Sequence, residues 1–318
     1  MASRDLAIGM TFLTQTVTGI LANIVLLFHY LSLCFSGYML RPTDLIAEHL
    51  TIANTLIMLS KGVSQTVQAF GIKYFSQGII CTVLFYVYRV ARGVSVSTTC
   101  LLSVFQTVKI SPMNSSWKQL KAKLPKHISF SIFLIWSLYT LVNGIFPFYR
   151  SHKYSGKNIT KKKEYGFCST GFRDKIIEAL YAAFILFPEV SFSGIMIWSS
   201  GSMIFILHRH KQQVQYILRT NVSHKSSPES RATQSVLVLV CTFVSFYTLS
   251  SIFYACVLNF NIPSWWLMNT SDLISTCFPA VSPFVLMSCN STASRLWFKF
   301  SSFVRSMQSA FFCTKVSG

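Results

Sequence analysis

Hydrophobic residues in this chain are gathered into roughly seven long runs, at 8–33, 45–67, 79–108, 128–148, 179–206, 233–258 and 265–287, separated by stretches rich in Lys, Arg and Ser. About 20 apolar residues cross a bilayer as a helix, so each run is long enough to span one. The pattern inside the third run is the most informative. From Cys81 to Pro112 it reads as one long helix, and Phe85, Arg89, Arg92, Val96, Thr99, Ser103 and Gln106 fall on one face at helical spacing. A face that polar is expected to turn away from lipid, onto other helices or a cavity. After the seventh run comes a basic amphipathic stretch, 294–304, with Leu296, Trp297, Phe300 and Val304 toward one side. Such a segment lies along the membrane surface rather than crossing it. The pattern predicts an all-α membrane protein: one seven-helix transmembrane domain over 1–318, a long loop at 149–178, and a tail from 288 that holds a short amphipathic helix.

Composition supports this and removes other classes. Hydrophobic residues make up 52% of the chain and charged residues 12%, with a mean hydropathy of +0.48. That leaves too little polar surface to cover a water-soluble globule of this length. The net charge of +19 raises nucleic acid as a partner, but the basic residues sit in short segments between apolar runs, with no groove-reading motif or stacking platform. Phospholipid head groups and a cytoplasmic partner fit them better. The first run is too long for the core of a signal peptide and no small-residue cleavage site follows it, so it is expected to remain as a spanning helix. With the amino terminus outside, basic loop residues such as Lys118, Lys121, Lys123, Lys126, Arg209 and Lys211 fall in the cytoplasm. The bias is slight, because the loop 149–178 is itself basic.

Catalytic chemistry is not indicated. The nine cysteines form no CxxC pair and none of the Cys/His spacings of zinc sites, so no metal or other cofactor is expected. There is no HExxH, GxSxG or Walker loop, and only two acidic side chains, Glu189 and Asp272, lie at membrane depth. The expectation is a protein that is not an enzyme. A transporter or channel would bring inverted repeats, Gly/Pro-broken helix pairs or charge rings, and none is present.

Short stretches then carry a resemblance. They are Arg41-Pro42-Thr43-Asp44-Leu45, Leu59-Ser60-Lys61-Gly62, Tyr88-Arg89-Val90-Ala91-Arg92-Gly93-Val94-Ser95, Thr98 to Gln106, and Met196-Ile197-Trp198-Ser199-Ser200-Gly201. Further on come His208-Arg209-His210-Lys211, Ser227 to Thr233, Phe243 to Ser251, and Ser282-Pro283-Phe284-Val285-Leu286. In this order and spacing the chain resembles the vomeronasal type-1 receptors over essentially its whole length. The resemblance implies a pheromone receptor of the plasma membrane, with an extracellular amino terminus and cytoplasmic carboxyl terminus. It would detect small chemosignals and activate an inhibitory-type heterotrimeric G protein. A bitter-taste-type receptor is the nearest alternative, but it lacks the stretches at 98–106 and 226–233. Against the wider rhodopsin-like pattern, Asn54 stands where an Asp helps hold sodium, Gln106 stands where the Asp-Arg-Tyr arginine falls, and Ser282-Pro283 with Leu286 replaces Asn-Pro-x-x-Tyr. The sixth helix lacks its Cys-Trp-x-Pro toggle, so the usual activation switch does not carry over.

The resemblance also assigns sites. It pairs Cys81, at the top of the third helix, with Cys168 in the long outer loop, and makes Asn158, in the sequon Asn158-Ile159-Thr160, a glycan acceptor. Gln106, Lys109, Arg209 and Lys211 become G-protein contacts. Lys61, Arg89, Arg92, Glu189 and Asp272 each cost on the order of 2.5–3.5 kcal/mol at the centre of a lone spanning helix, so they are expected to face inward and find partners. Three cations against two anions leave one cation over. Arg89 lies at the depth where rhodopsin-like receptors hold ligands. One reading makes Lys61, Phe85, Tyr88, Arg89, Arg92, Glu189 and Asp272 the polar floor of an aromatic ligand pocket, with Arg89 or Arg92 free for an anionic or carbonyl-bearing ligand. The other pairs Arg89 and Arg92 fully with Asp272 and Glu189, fixing helix register.

Overall fold

The computed structural model of the chain describes residues 3–37, 41–71, 78–112, 115–151, 164–165, 168–169, 175–217, 228–259 and 265–289. In order they form α1 (Ser3–Phe35), α2 (Pro42–Ile57), one π turn (Met58–Gly62), α3 (Val63–Ala69), α4 (Gly78–Ile110), α5 (Ser115–Ser151), the two-residue strands β1 (Glu164–Tyr165) and β2 (Cys168–Ser169), α6 (Lys175–Ile217), α7 (Pro228–Asn259) and α8 (Trp265–Cys289). Because α2, the π turn and α3 follow without a break, the helices make a seven-helix transmembrane bundle, one rod for each apolar run. Only structures that satisfy their own backbone groups survive in hydrocarbon, which is why the runs are helices. β1 and β2 pair antiparallel, Tyr165 opposite Cys168. The stretch 294–304 and the rest of the tail lie outside the described residues.

The rods outrun the apolar segments at both ends. α5 begins at Ser115, so Lys121, Lys123 and Lys126, expected in a loop, ride on helical turns, and α6 continues past the expected end at 206 to Ile217. Continuing the i→i−4 ladder satisfies backbone groups beyond the hydrocarbon as well as inside it. The ends that are sharp have local causes. Gly37 (φ 72°) follows α1 and Gly71 (φ 83°) follows α3, in the left-handed conformation that glycine takes without a Cβ penalty. α2 opens on Pro42, whose fixed φ suits a first helical position, behind an extended Arg41. The Arg41 guanidinium Nε lies 3.1 Å from Asp44 Oδ2.

α4 is central, lying against α2, α5, α6 and α7, while α8 packs on α7 and α1 and closes the ring. The interior combines apolar residues (Leu26, Leu50, Met58, Val96, Met196, Leu239) with wholly buried polar ones such as Asn23, Asn54, Thr98, Thr99 and Ser103. Phe28, Phe133, Leu141, Phe187, Trp198 and Phe205, by contrast, are more than half exposed. Polar residues inside and large apolar ones outside is the arrangement lipid demands. Among the described residues, five helices are long and apolar enough to cross a membrane; α7 adds the shorter apolar stretch Val236–Ser250. On α4, Val96, Thr99, Ser103 and Gln106 are buried and Phe85 and Arg89 half-buried, so the expected polar stripe does face inward.

Close approach of α4 to α5 depends on Gly93. A Cβ there would overlap the ring of Tyr139, and the ring is not free to retreat, because Ser97 Oγ donates to the Tyr139 hydroxyl at 3.1 Å. Small residues let membrane helices meet closely. Gly93→Ala is expected to destabilise the protein by about 1–3 kcal/mol through overpacking, read as earlier thermal unfolding in detergent.

Candidate functional site

The π turn decides where the second rod's charge points. Its closing hydrogen bond runs from Val63 N–H to Met58 O, one residue longer than an α turn, and such turns rotate the following residues on the helix face. Lys61 sits inside it, 7% exposed. Its ammonium donates to Ser275 Oγ at 2.6 Å and lies 3.3 Å from Asp272 Oδ1, both on α8. It also stands 4.9 Å above the centroid of the Tyr88 ring on α4. The second rod is thereby tied to α4 and α8 at one level.

The belt continues from Tyr88. One turn along α4, Arg92 Nη1 donates to the Tyr88 hydroxyl at 3.4 Å, and Arg92 Nε donates to Glu189 Oε1 of α6 at 3.1 Å. Glu189 Oε2 accepts from the hydroxyl of Tyr247 on α7, and the Arg92 guanidinium carbon is 5.0 Å from the Tyr247 ring centroid. Glu189 follows Pro188, but α6 runs through that proline as a continuous helix. Phe85 packs beside Tyr88, their ring centroids 6.5 Å apart.

Both anions are thus spoken for, in a pairing the sequence did not specify: Lys61 with Asp272, Arg92 with Glu189. Arg89 makes no hydrogen bond or ion pair with any described residue and is half-buried. A cavity of about 30 Å³ adjoins the belt, lined by Tyr88, Arg92, Ser95, Phe243, Tyr247 and Ser275 among others. It has room for a water molecule or two but not for a ligand, whose pockets run to several hundred cubic ångströms.

Two further polar layers lie along α4. Asn54 Nδ2 donates to Ser282 Oγ at 2.7 Å and Ser95 Oγ donates to Asn54 Oδ1 at 2.8 Å, so both ends of the amide are engaged at the position where the wider pattern has a carboxylate. Farther along, Ser103 Oγ donates to Ser199 Oγ at 3.0 Å and the hydroxyls of Thr107 and Ser199 are 2.5 Å apart, joining α4 to α6. Gln106, expected to face a partner, is 1% exposed, because the stripe it belongs to turns into the bundle. Lys109 and Arg209 are exposed at the same end, and Lys121 Nζ donates to the carbonyl of Ser111 at 2.6 Å.

The chain matches the model of the vomeronasal organ pheromone receptor family over residues 6–299. It is 51% identical over 298 residues to human vomeronasal type-1 receptor 4, covering 94% of this chain and 99% of that protein. Human vomeronasal type-1 receptor 2 is 49% identical over 284 residues, 89% of this chain and 72% of that protein. A zebrafish protein, olfactory receptor class A-like protein 1, is 31% identical over 283 residues, covering 89% of each. The chain belongs to the vomeronasal type-1 receptor family.

Within this chemosensory receptor, the structure brings Lys61, Tyr88, Arg92, Glu189 and Asp272 together, with Phe85 beside them and Arg89 apart. Cys81, fully buried, is disulfide-bonded, and β2, which contains Cys168, packs against α4. The Cys168 and Lys211 side chains and all of Asn158 lie outside the described residues. Sequence reasoning missed Tyr247 and Ser275. Tyr247 carries a signal in retrospect, a phenol midway along a spanning helix within the stretch Phe243 to Ser251, whereas Ser275 is one serine among many.

Removing one partner of a buried ion pair strands the other charge, at about 3–5 kcal/mol, while replacing both by apolar groups is close to neutral. Lys61→Met is therefore expected to lower the unfolding temperature of the purified receptor, and Lys61→Met with Asp272→Leu to recover most of the loss. Additive losses would show that the pair does not form.

Proposed function

We propose that this receptor detects small-molecule chemosignals at the Cys81 end of its bundle and activates an inhibitory-type heterotrimeric G protein at the Gln106 end, with its amino terminus outside the plasma membrane and its carboxyl terminus in the cytoplasm. The observation that carries the ligand site is the pairing pattern. Lys61 and Arg92 have carboxylates of their own, and Arg89, eight residues into the helix from Cys81 or about 12 Å at 1.5 Å per residue, has none among the described residues. A membrane-embedded guanidinium with no carboxylate in direct contact among the described residues is suited to a ligand carboxylate, sulfate or carbonyl. Lys61, Phe85, Tyr88, Arg92, Glu189 and Asp272 form the polar and aromatic floor beside it. The cavity of about 30 Å³ lies beside Arg92 rather than Arg89, and is too small to hold the ligand itself. At the other end, Lys109 and Arg209 present exposed charge for the G protein, joined by Lys211, and Gln106 becomes reachable only when the bundle opens.

The test is an inhibitory-type G-protein assay in cells, challenged with fractionated urine and gland secretions. Arg89→Gln is expected to reach the surface normally and to lose about 10- to 100-fold in potency, the worth of a charge-assisted hydrogen bond. A variant as sensitive as the unmodified receptor overturns the assignment.

In this reading Cys168 is the partner of Cys81, tying the hairpin of the outer loop down over the mouth of the bundle, and Asn158 on the same loop carries a glycan. Peptide mapping without reduction is expected to yield a Cys81–Cys168 cross-linked peptide. Cys81→Ser, Cys168→Ser and the double variant are expected to lose the same amount of stability, about 2–4 kcal/mol.

A further inference from the structure

The rhodopsin-like toggle is missing from α7, and the geometry points to a replacement: Glu189 is a latch that holds Tyr247, and with it α7, against α4 and α6 in the resting receptor, and its release is the activation switch. The inference rests on the chemosensory reading above for what turns the latch, though not for the latch itself. Glu189 is 6% exposed and uses one oxygen for Arg92 of α4 and the other for Tyr247 of α7. Among the described residues this carboxylate makes the one hydrogen-bonded link between α6 and α7. Arg92 braces the same phenol from its face. A single carboxylate therefore holds three helices in register.

Tyr247 is also the start of a mechanical line toward the Gln106 end. Its ring stacks on Phe243 one turn farther along α7, centroids 5.6 Å apart and planes 12° from parallel. Phe243 in turn meets Phe278 of α8 edge-on at 4.8 Å. Releasing Tyr247 frees this aromatic column to shift into the small cavity that Phe243, Tyr247 and Phe278 line. α7 has no proline past its first residue, Pro228, so it has no hinge of the usual kind and moves as a rod. A ligand anion held at Arg89, less than one turn away, competes with Glu189 for Arg92, weakens the brace and biases the bundle toward the released state, which is all that a ligand has to do to switch a two-state element.

The experiment uses the full-length receptor in lipid nanodiscs, with no agonist. Nitroxides are attached through ketone-bearing amino acids at Lys109 of α4 and Gln234 of α7, and their separation is measured by pulsed electron resonance. Basal nucleotide exchange on an added inhibitory heterotrimer is followed in parallel with the unlabelled receptor and the same variants, which keep Lys109. Tyr247→Phe, which removes one hydroxyl, and Glu189→Gln, which keeps an acceptor but drops the charge, are expected to populate a longer Lys109–Gln234 distance and to raise basal exchange about tenfold. Tyr86→Phe is the control; its hydroxyl donates to the backbone of Thr140 away from the latch, and it is expected to change neither readout. Longer distances without faster exchange keep the latch and overturn the G-protein assignment instead. Unchanged distances in both variants, or an equal shift in the control, overturn the latch.

Discussion

A guanidinium buried among helices needs a counter-charge, and Arg92 finds its own on a different helix, in Glu189. That one contact constrains much else. It sets the depth at which α4 and α6 meet, it fixes Tyr247 of α7 against both, and through Tyr88, whose hydroxyl meets Arg92 and whose ring meets Lys61, it reaches Asp272 and Ser275 on α8. A group that cannot be left unpaired in hydrocarbon thereby specifies how five rods are arranged around it. Apolar packing between helices in lipid is permissive about rotation and register; a buried pair is not.

The interior is layered along α4 accordingly. Charges lie nearest Cys81, the neutral triad of Asn54, Ser95 and Ser282 comes next, and the hydroxyl cluster of Ser103, Thr107 and Ser199 lies nearest Gln106. The gradient from charged to neutral suits a chemosensory receptor. Strong, directional contacts sit where a ligand would compete with them, and weaker hydroxyl contacts sit where helices would have to slide past each other. Neutral hydroxyl pairs break and re-form at small cost, whereas a severed ion pair does not.

Much of this was legible in the sequence because it follows from periodicity and from the expense of polar groups in lipid. The seven runs, the inward stripe on α4 and the inventory of three cations and two anions all come from those two rules. What periodicity does not carry is which charge meets which. Arg89 and Arg92 are less than one helical turn apart, and only the packed bundle shows that Arg92 is the one that reaches Glu189. It also does not carry the π turn, which has no side-chain signature in Met58 to Gly62, yet decides where Lys61 points. Gln106 stands both on the inward stripe and, by the resemblance, among the G-protein contacts, and its burial in this structure follows the stripe. The tryptophan and proline of the familiar toggle are missing from α7, and what the packed bundle adds at that helix is a phenol held by a carboxylate of its neighbour, a contact between helices that no local pattern carries.

The π turn has an implication for how such receptors diversify. It amounts to one extra residue in the second rod, and deleting a single residue between Met58 and Gly62 would convert it to ordinary α-helix. The deletion would leave the side chains beyond it, Gln65 and Thr66 included, on the faces they now occupy, whereas an α-helix that kept all five residues would turn them by about 100° about the rod axis, with Asn54 and the packing below it in place in both cases. Substitutions that drew the turn into ordinary α-helix at full length would thus present a different face of the second rod to the mouth of the bundle and leave the opposite end of the same rod untouched, whereas loss of one codon there would be absorbed by the bulge itself.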